Sequence, residues 1–532
     1  MVRKFRLSSF LLWILGAFVL GAPALASNMV VVKTDRGKVR GTMSADGQVR
    51  TFLGIPFAAP PVGALRWKPP QPAAKWHGVR PATTFGSHCM QPHLYADMIF
   101  RDPGEGEDCL TLNVWTPAKK NTANLPVMVW IHGGGLAAGG SSEPRQDGEN
   151  LARKGVVVVS MNYRLGIFGF FALPGLSSES PDHAAGNYGL MDQTAALQWV
   201  RRNIKKFGGD AANVTIFGES AGSQSVSLQM ASPLSQGLFV HAIGESGGAF
   251  PRPARRYRSL AESEEHCERF AQSTFGSSDV AFLRAIPADR LLREASHSHD
   301  ADFRPNTDGS FLPESPSDIY AAGKQAHVPL LAGWNKDEAA EEVVNAPERP
   351  TPETLRTMAE KRFGSNAGEF LKAYSAPNDI EAPRVAKDFA GDRFIAYETW
   401  AWLEAQVKTG DASVYRYHFD LGSPGDPIHP AAIGAFHSDD IEYVFGTLNS
   451  RKGAAWRPED YKLSQLIQDY WTNFAKTGNP NAAGLPNWPT YNAAGGWQVM
   501  HLAPVSQAKP DRHRDRYLFL QKVWGEVNNP AQ

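Results

Sequence analysis

Two five-residue stretches set a serine between glycines: Gly218-Glu219-Ser220-Ala221-Gly222 and Gly244-Glu245-Ser246-Gly247-Gly248. A serine on a sharp strand-to-helix turn can attack an acyl carbon, and glycines two residues away on either side let the backbone turn without a Cβ clash. The first stretch has that setting. An apolar run, Val214-Thr215-Ile216-Phe217, leads into it, and a helical pattern starting near Ala221 leaves it. The second is followed by Ala249-Phe250-Pro251-Arg252-Pro253, whose two prolines prevent a clean helix start. Ser220 therefore reads as the nucleophile, and Ser246 as a strand-end serine with a supporting role beside it.

A hydroxyl needs a base, and the oxyanion it creates needs donors. His132-Gly133-Gly134-Gly135 follows the apolar run Val127 to Ile131, and its three glycines free consecutive amides to aim at one point, as oxyanion loops do. In this arrangement the acid and then the histidine follow the serine along the chain. Gly333-Trp334-Asn335-Lys336-Asp337-Glu338 comes after the run Val328 to Ala332 and offers two carboxylates, Asp337 and Glu338. His437, in Gly434-Ala435-Phe436-His437-Ser438-Asp439-Asp440, has the order and loop position of the base, although spacing alone does not separate it from His418 or His429. Such chemistry calls for no metal and no organic cofactor.

These groups need a scaffold. Short apolar runs rich in β-branched residues recur at Val127 to Ile131, Val156 to Met161, Val214 to Phe217, Phe239 to Ile243, Val328 to Ala332 and Val414 to Phe419. Helical patterns lie between them, such as Met191 to Phe207 and Gln224 to Met230. Strands alternating with helices build a largely parallel sheet covered on both faces. Ahead of it, Met29 to Lys33, Lys38 to Thr42 and Val49 to Gly54 read as short antiparallel strands joined by turns. Gly208-Gly209 ends a helix, and Asp210 to Asn213 is expected to turn into the next strand. The stretches Pro251 to Ala326 and Pro350 to Val407 read as helical insertions walling the site. The predicted class is α/β, with one catalytic domain over 27–532.

Composition narrows the partners. The 532 residues carry 54 basic and 54 acidic side chains, net +0, which argues against a general nucleic-acid or membrane-surface binder, both of which rely on a basic excess. Residues 1–26 read as a cleavable signal peptide: Arg3, Lys4 and Arg6, then the apolar run Phe10 to Ala22, then Ala24-Leu25-Ala26 before the cut. The apolar run is too short to span a bilayer of about 30 Å. The mature chain is thus expected to start near Ser27 and to be secreted or periplasmic, with no membrane span. Of three cysteines, Cys89 and Cys109 would close a loop of about 21 residues, contributing roughly 3 kcal/mol if paired. Cys267 reads as a small buried hydrophobe.

The sequence resembles the type-B carboxylesterase and cholinesterase family of α/β-hydrolases over nearly the whole mature chain. The likeness stands on Gly54-Ile55-Pro56-Phe57-Ala58-Ala59-Pro60-Pro61, Glu107-Asp108-Cys109-Leu110-Thr111-Leu112-Asn113-Val114, the glycine loop, Asn162-Tyr163-Arg164-Leu165-Gly166, Asn187-Tyr188-Gly189-Leu190-Met191-Asp192-Gln193, and the run from Phe207 to Gly222. It implies a serine esterase acting on small-molecule esters through an acyl-enzyme. The acid becomes Glu338 rather than Asp337, and the base His437, which precedes Ile441-Glu442-Tyr443-Val444-Phe445-Gly446. The oxyanion donors become the amides of Gly134, Gly135 and Ala221, the disulfide joins Cys89 to Cys109, and Glu219 becomes a buried carboxylate beside the nucleophile. The same residues would serve an acyltransferase or an amide- or thioester-cleaving enzyme; a silent binding module of this fold would have lost them. Two departures stand out. The loop between Cys89 and Cys109 has no tryptophan, which argues against a quaternary-ammonium substrate. Leu136 follows the glycine loop where relatives frequently carry an aromatic.

Overall fold

A computed structural model describes residues 30–250 and 256–528, so the expected leader lies outside the described residues. Among the described residues thirteen strands join in one sheet. The N-terminal part is β1 (Val30–Lys33), β2 (Lys38–Met43), β3 (Arg50–Pro56), β4 (Val79–Pro81) and β5 (Thr111–Thr116). The central strands are β6 (Leu125–Ile131), β7 (Val157–Met161), β8 (Gly209–Glu219), β9 (His241–Glu245), β10 (Leu330–Asn335), β11 (Val414–Phe419) and β12 (Gln498–Leu502), with β13 (Gln507–Pro510) at the far edge. Their order is β1-β2-β3-β5-β7-β6-β8-β9-β10-β11-β12-β13, with β4 beside β2. Pairing is parallel from β7 through β12; β1, β2, β3, β5 and β7 pair antiparallel in succession, as does the last pair. The expected N-terminal antiparallel part is therefore continuous with the large sheet.

The unbroken apolar runs have a direct cause. In a strand successive side chains point to opposite faces, and here both faces are covered. Val127, Val129 and Ile131 enter a core shared with Leu190, Leu197 and Trp199 of the helix Tyr188–Asn203. Met128 and Trp130 enter the opposite core, with Leu463, Ile467 and Trp471 of the helix Pro458–Thr477.

The predicted insertions are helical. The first holds Leu260–Phe275, Val280–Arg284 and Ala288–His297, the second Pro352–Phe363, Ala367–Ala373, Ala382–Gly391 and Tyr397–Thr409. Cys267 is buried on the first of these, and burial pushes its thiol up to about 12, which leaves it an inert small hydrophobe. Cys89 and Cys109 form a disulfide. No helix among the described residues is long and apolar enough to cross a membrane.

One local expectation is corrected. Asp210 to Asn213 does not stand outside the strand: β8 starts at Gly209 and takes the segment in as an irregularity, its register against β6 shifting between Gly209 and Val214. Asp210 accepts the Ala212 amide at 2.9 Å, so the turn chemistry is real but is spent on a bulge.

Candidate active site

The carboxyl ends of the central parallel strands supply the site, as open parallel sheets generally do. β8 runs into Ser220, whose backbone at φ 56°, ψ −121° lies in a strained region, and the helix Ala221–Ala231 leaves at once. A Cβ on Gly222 would lie 2.0 Å from the carbonyl oxygen of Ile131, so only glycine lets the new helix pass this close to β6. The Ser220 amide donates to the Glu245 carbonyl at 2.8 Å, fixing the turn from the neighbouring strand end. Ser220 occupies the N-cap position, yet its hydroxyl caps nothing. It lies 2.8 Å from Nε2 of His437.

The other nitrogen of that ring, Nδ1, is 2.7 Å from Oε2 of Glu338. Glu338 is buried just beyond the end of β10, and its Oε1 accepts the Asn335 amide at 3.0 Å and the Ser246 hydroxyl at 2.6 Å. Asp337 points elsewhere. It accepts the Ala435 amide at 3.0 Å and so holds the loop that carries His437. Asn335 braces the same loop, donating to the Phe436 carbonyl at 2.8 Å and to Asp440 at 3.2 Å. The acid loop thus clamps the histidine loop.

The histidines that spacing left open fall apart in space. His418 binds Asp420, and His429 stacks on Phe436 beside Asp426. His132 is buried, stacked on Tyr163 and pushed down to about 4 by burial, so it anchors the glycine loop as a neutral ring. Gly134 and Gly135 adopt positive φ (98° and 67°) and, with Ala221, line the cavity at Ser220. The loop abuts the elbow so closely that a Cβ on Gly133 would lie 2.7 Å from Oε2 of Glu219 and 3.2 Å from Cβ of Ser220.

Ser246 shares the positive φ of Ser220, at 53°, but no helix follows among the described residues before Leu260, and its hydroxyl is fully buried against Glu338. Replacing it by alanine removes one hydrogen bond to a carboxylate, worth about 1.5–3 kcal/mol. Ser246→Ala is expected to retain hydrolysis at a kcat reduced about ten- to hundredfold, measured on a chromogenic ester; a variant as inactive as Ser220→Ala would make Ser246 a nucleophile after all.

Two parts of the site left no legible mark in the sequence. Phe394, from the second insertion, meets the His437 ring edge-on at 5.0 Å and 82°. Its signal was nil, because an insertion's fold sets which aromatic reaches the site. Asp440 accepts from Asn335 and from the Tyr417 hydroxyl at 3.0 Å, and in the sequence nothing but its nearness to His437 marks it. Above the serine opens a cavity of about 780 Å³. Its walls come from the disulfide loop (Tyr95, Met98), the insertions (Tyr257, Phe303, Phe394) and the segment ahead of His437 (Ile428, Ile433).

Electrostatically the floor is a cluster of carboxylates around one imidazole. Burial lifts the Glu219 carboxyl to about 8, against the pull of His437. Burial opposes charge on His437, but Glu338 and then Glu219, whose Oε1 is 3.3 Å from Nε2, outweigh it and push the ring up to about 10.

The comparisons place the whole chain and its fold. A sequence profile of the carboxylesterase family matches residues 28–518. Fumonisin B1 esterase of Sphingopyxis macrogoltabida is 38% identical over 495 residues, covering 90% of this chain and 88% of its own. Para-nitrobenzyl esterase of Bacillus subtilis is 37% identical over 478 residues, covering 87% and 92%. Rabbit (Oryctolagus cuniculus) liver carboxylesterase 1 is 35% identical over 546 residues, covering 93% and 94%. Among solved structures a PNB esterase superposes with TM-score 0.77 at 35% identity, covering 92% of this chain and 99% of that one. Sequence, sheet and site converge: the chain belongs to the carboxylesterase family, a serine carboxylic-ester hydrolase on the α/β-hydrolase fold.

Proposed function

We propose that Ser220 is the nucleophile of this hydrolase, His437 its general base and acid, and Glu338 the carboxylate that orients the imidazole and balances its charge. His437 takes the Ser220 proton through Nε2 as Oγ attacks the ester carbonyl, and the oxyanion settles on the amides of Gly134, Gly135 and Ala221 at the positive end of a helix. The alcohol leaves with the proton from His437, and water, deprotonated by the same ring, frees the acid from the acyl-enzyme. The observation that carries this reading is the chain of contacts from Ser220 Oγ through both ring nitrogens to Glu338, 2.8 and 2.7 Å, at the floor of the cavity.

A fluorophosphonate probe tests it. Ser220 Oγ should bond to phosphorus as fluoride departs, leaving one adduct on the peptide that contains Ser220. An adduct on Ser246, or none with an active enzyme, would reject the assignment.

The carboxylate cluster has a consequence for pH. Hydrolysis needs neutral His437, and its raised pKa sets the acid limb of kcat/KM above the ordinary histidine range. Glu219→Gln removes one of the charges that raise it, so the limb is expected to move to lower pH by about one unit. A pH profile of kcat/KM for both enzymes checks this, and an unmoved limb would mean that Glu219 does not act on His437 through its charge.

We infer further that residues 1–26 direct export and are removed, on the basic, apolar and small-residue order given above. N-terminal sequencing of protein from the extracytoplasmic fraction should begin at or near Ser27; an intact leader on exported protein would reject cleavage.

A further inference from the structure

We infer that His418, Asp420 and His501 form a binding site for one divalent transition-metal ion of the zinc class, separate from the hydrolytic centre and anchoring the segment that leads to His437. The mechanism uses none of the three. Their placement follows from strand geometry: His418 is the last residue but one of β11, so period two returns Asp420, just past the strand end, to the same face. On the adjacent strand β12, His501 pairs with His418 in register.

The side chains converge. His418 Nδ1 meets one oxygen of the Asp420 carboxylate and His501 Nδ1 meets the other at 2.7 Å. One ligand atom from each residue lies within 4.8 Å of the other two. Bonds of about 2.0–2.1 Å in a tetrahedral site put ligand atoms about 3.3 Å apart, within reach of small side-chain rotations here. Two imidazoles and a carboxylate leave a fourth position for water, and this donor set suits zinc, cobalt, nickel or copper rather than calcium or magnesium.

The surroundings hold the ligands in place yet leave them reachable. The Asp420 amide donates to the Leu502 carbonyl at 2.9 Å, and Trp334 packs edge-on to His418 at 6.3 Å. The three side chains are 21%, 26% and 26% exposed, so an ion can enter from solvent. From Asp420 the chain runs through Ile428 and Ile433 in the cavity wall to His437. A metal here would fix the root of that wall.

The test is titration of tag-free, chelator-treated full-length protein with zinc by calorimetry, and with cobalt by visible absorption. One equivalent should bind, and His418→Asn and His501→Gln should each weaken binding at least about tenfold. Both substitutions keep a donor facing Asp420, so without metal each should hydrolyse ester within about twofold of the parent, which reports intact folding. Absence of saturable binding to the parent protein would overturn the inference, as would undiminished binding in both variants.

Discussion

Ser220→Ala is expected to lower kcat about 10⁶-fold with KM little changed, because loss of the nucleophile alone removes nearly all of what a serine, histidine and acid achieve together. The residual rate should come from binding and the oxyanion amides alone. The folded state should be unaffected. Alanine has the same Cβ as serine at φ 56°, ψ −121°, and the Ser220 hydroxyl neither caps its helix nor fills a core. Ser220→Gly gives a second reading of the same strain: removing the Cβ from this backbone should raise stability by about 1 kcal/mol while leaving the enzyme equally inactive. Steady-state kinetics on a chromogenic ester, with circular dichroism and thermal unfolding alongside, separate the two effects. Hydrolysis retained by Ser220→Ala would remove the assignment outright.

Glu338→Gln should cost about 10⁴-fold in kcat without disturbing the fold, because it sets the wrong tautomer. Oε1 of Glu338 receives two donors, the Asn335 amide and the Ser246 hydroxyl, while Oε2 faces Nδ1 of His437. The glutamine oxygen must therefore sit on the Oε1 side, which turns its NH₂ toward Nδ1. That nitrogen becomes an acceptor, the proton moves to Nε2, and the base facing Ser220 is lost. Because the misdirection depends on the two donors at Oε1, adding Ser246→Ala should return part of the lost rate. A double-mutant cycle on kcat measures this coupling, and strict additivity would show that Ser246 does not steer the amide.

The buried floor also explains why a base can be held beside so many acids. Glu219, Glu338 and Asp440 are all buried near one imidazole, and Glu219 responds by holding its proton more tightly. Up to about pH 8 Glu219 is thereby kept neutral where water is scarce; above that its charge joins Glu338 in holding the proton on His437.

Much of this was legible in the sequence because it depends on local backbone demands. A strand that meets a helix through one strained residue needs glycines on both sides, so Gly218-Glu219-Ser220-Ala221-Gly222 reads as an elbow before any contact is known. Strands covered on both faces must be apolar throughout, so the central sheet announces itself in runs such as Val127 to Ile131. The same locality sets Ser246 apart, since two prolines follow it in sequence where a helical pattern follows Ser220.

Long-range geometry was decided elsewhere. His418, His429 and His437 are equivalent as residues, and spacing does not separate them; tertiary packing sends the first, on β11, to Asp420, leaves the second against Phe436 and, through Asp337 and Asn335, brings the third to Ser220. The pairing of Ser246 with Glu338 and the reach of Phe394 to the imidazole join positions far apart in the chain, and no periodicity encodes them. Sequence determined which residue turns the chain and which strands are buried, because those are properties of a few neighbouring dihedrals and side-chain periods. Tertiary structure decided which acid, which histidine and which wall residues share the serine's cavity, because those depend on how distant segments pack.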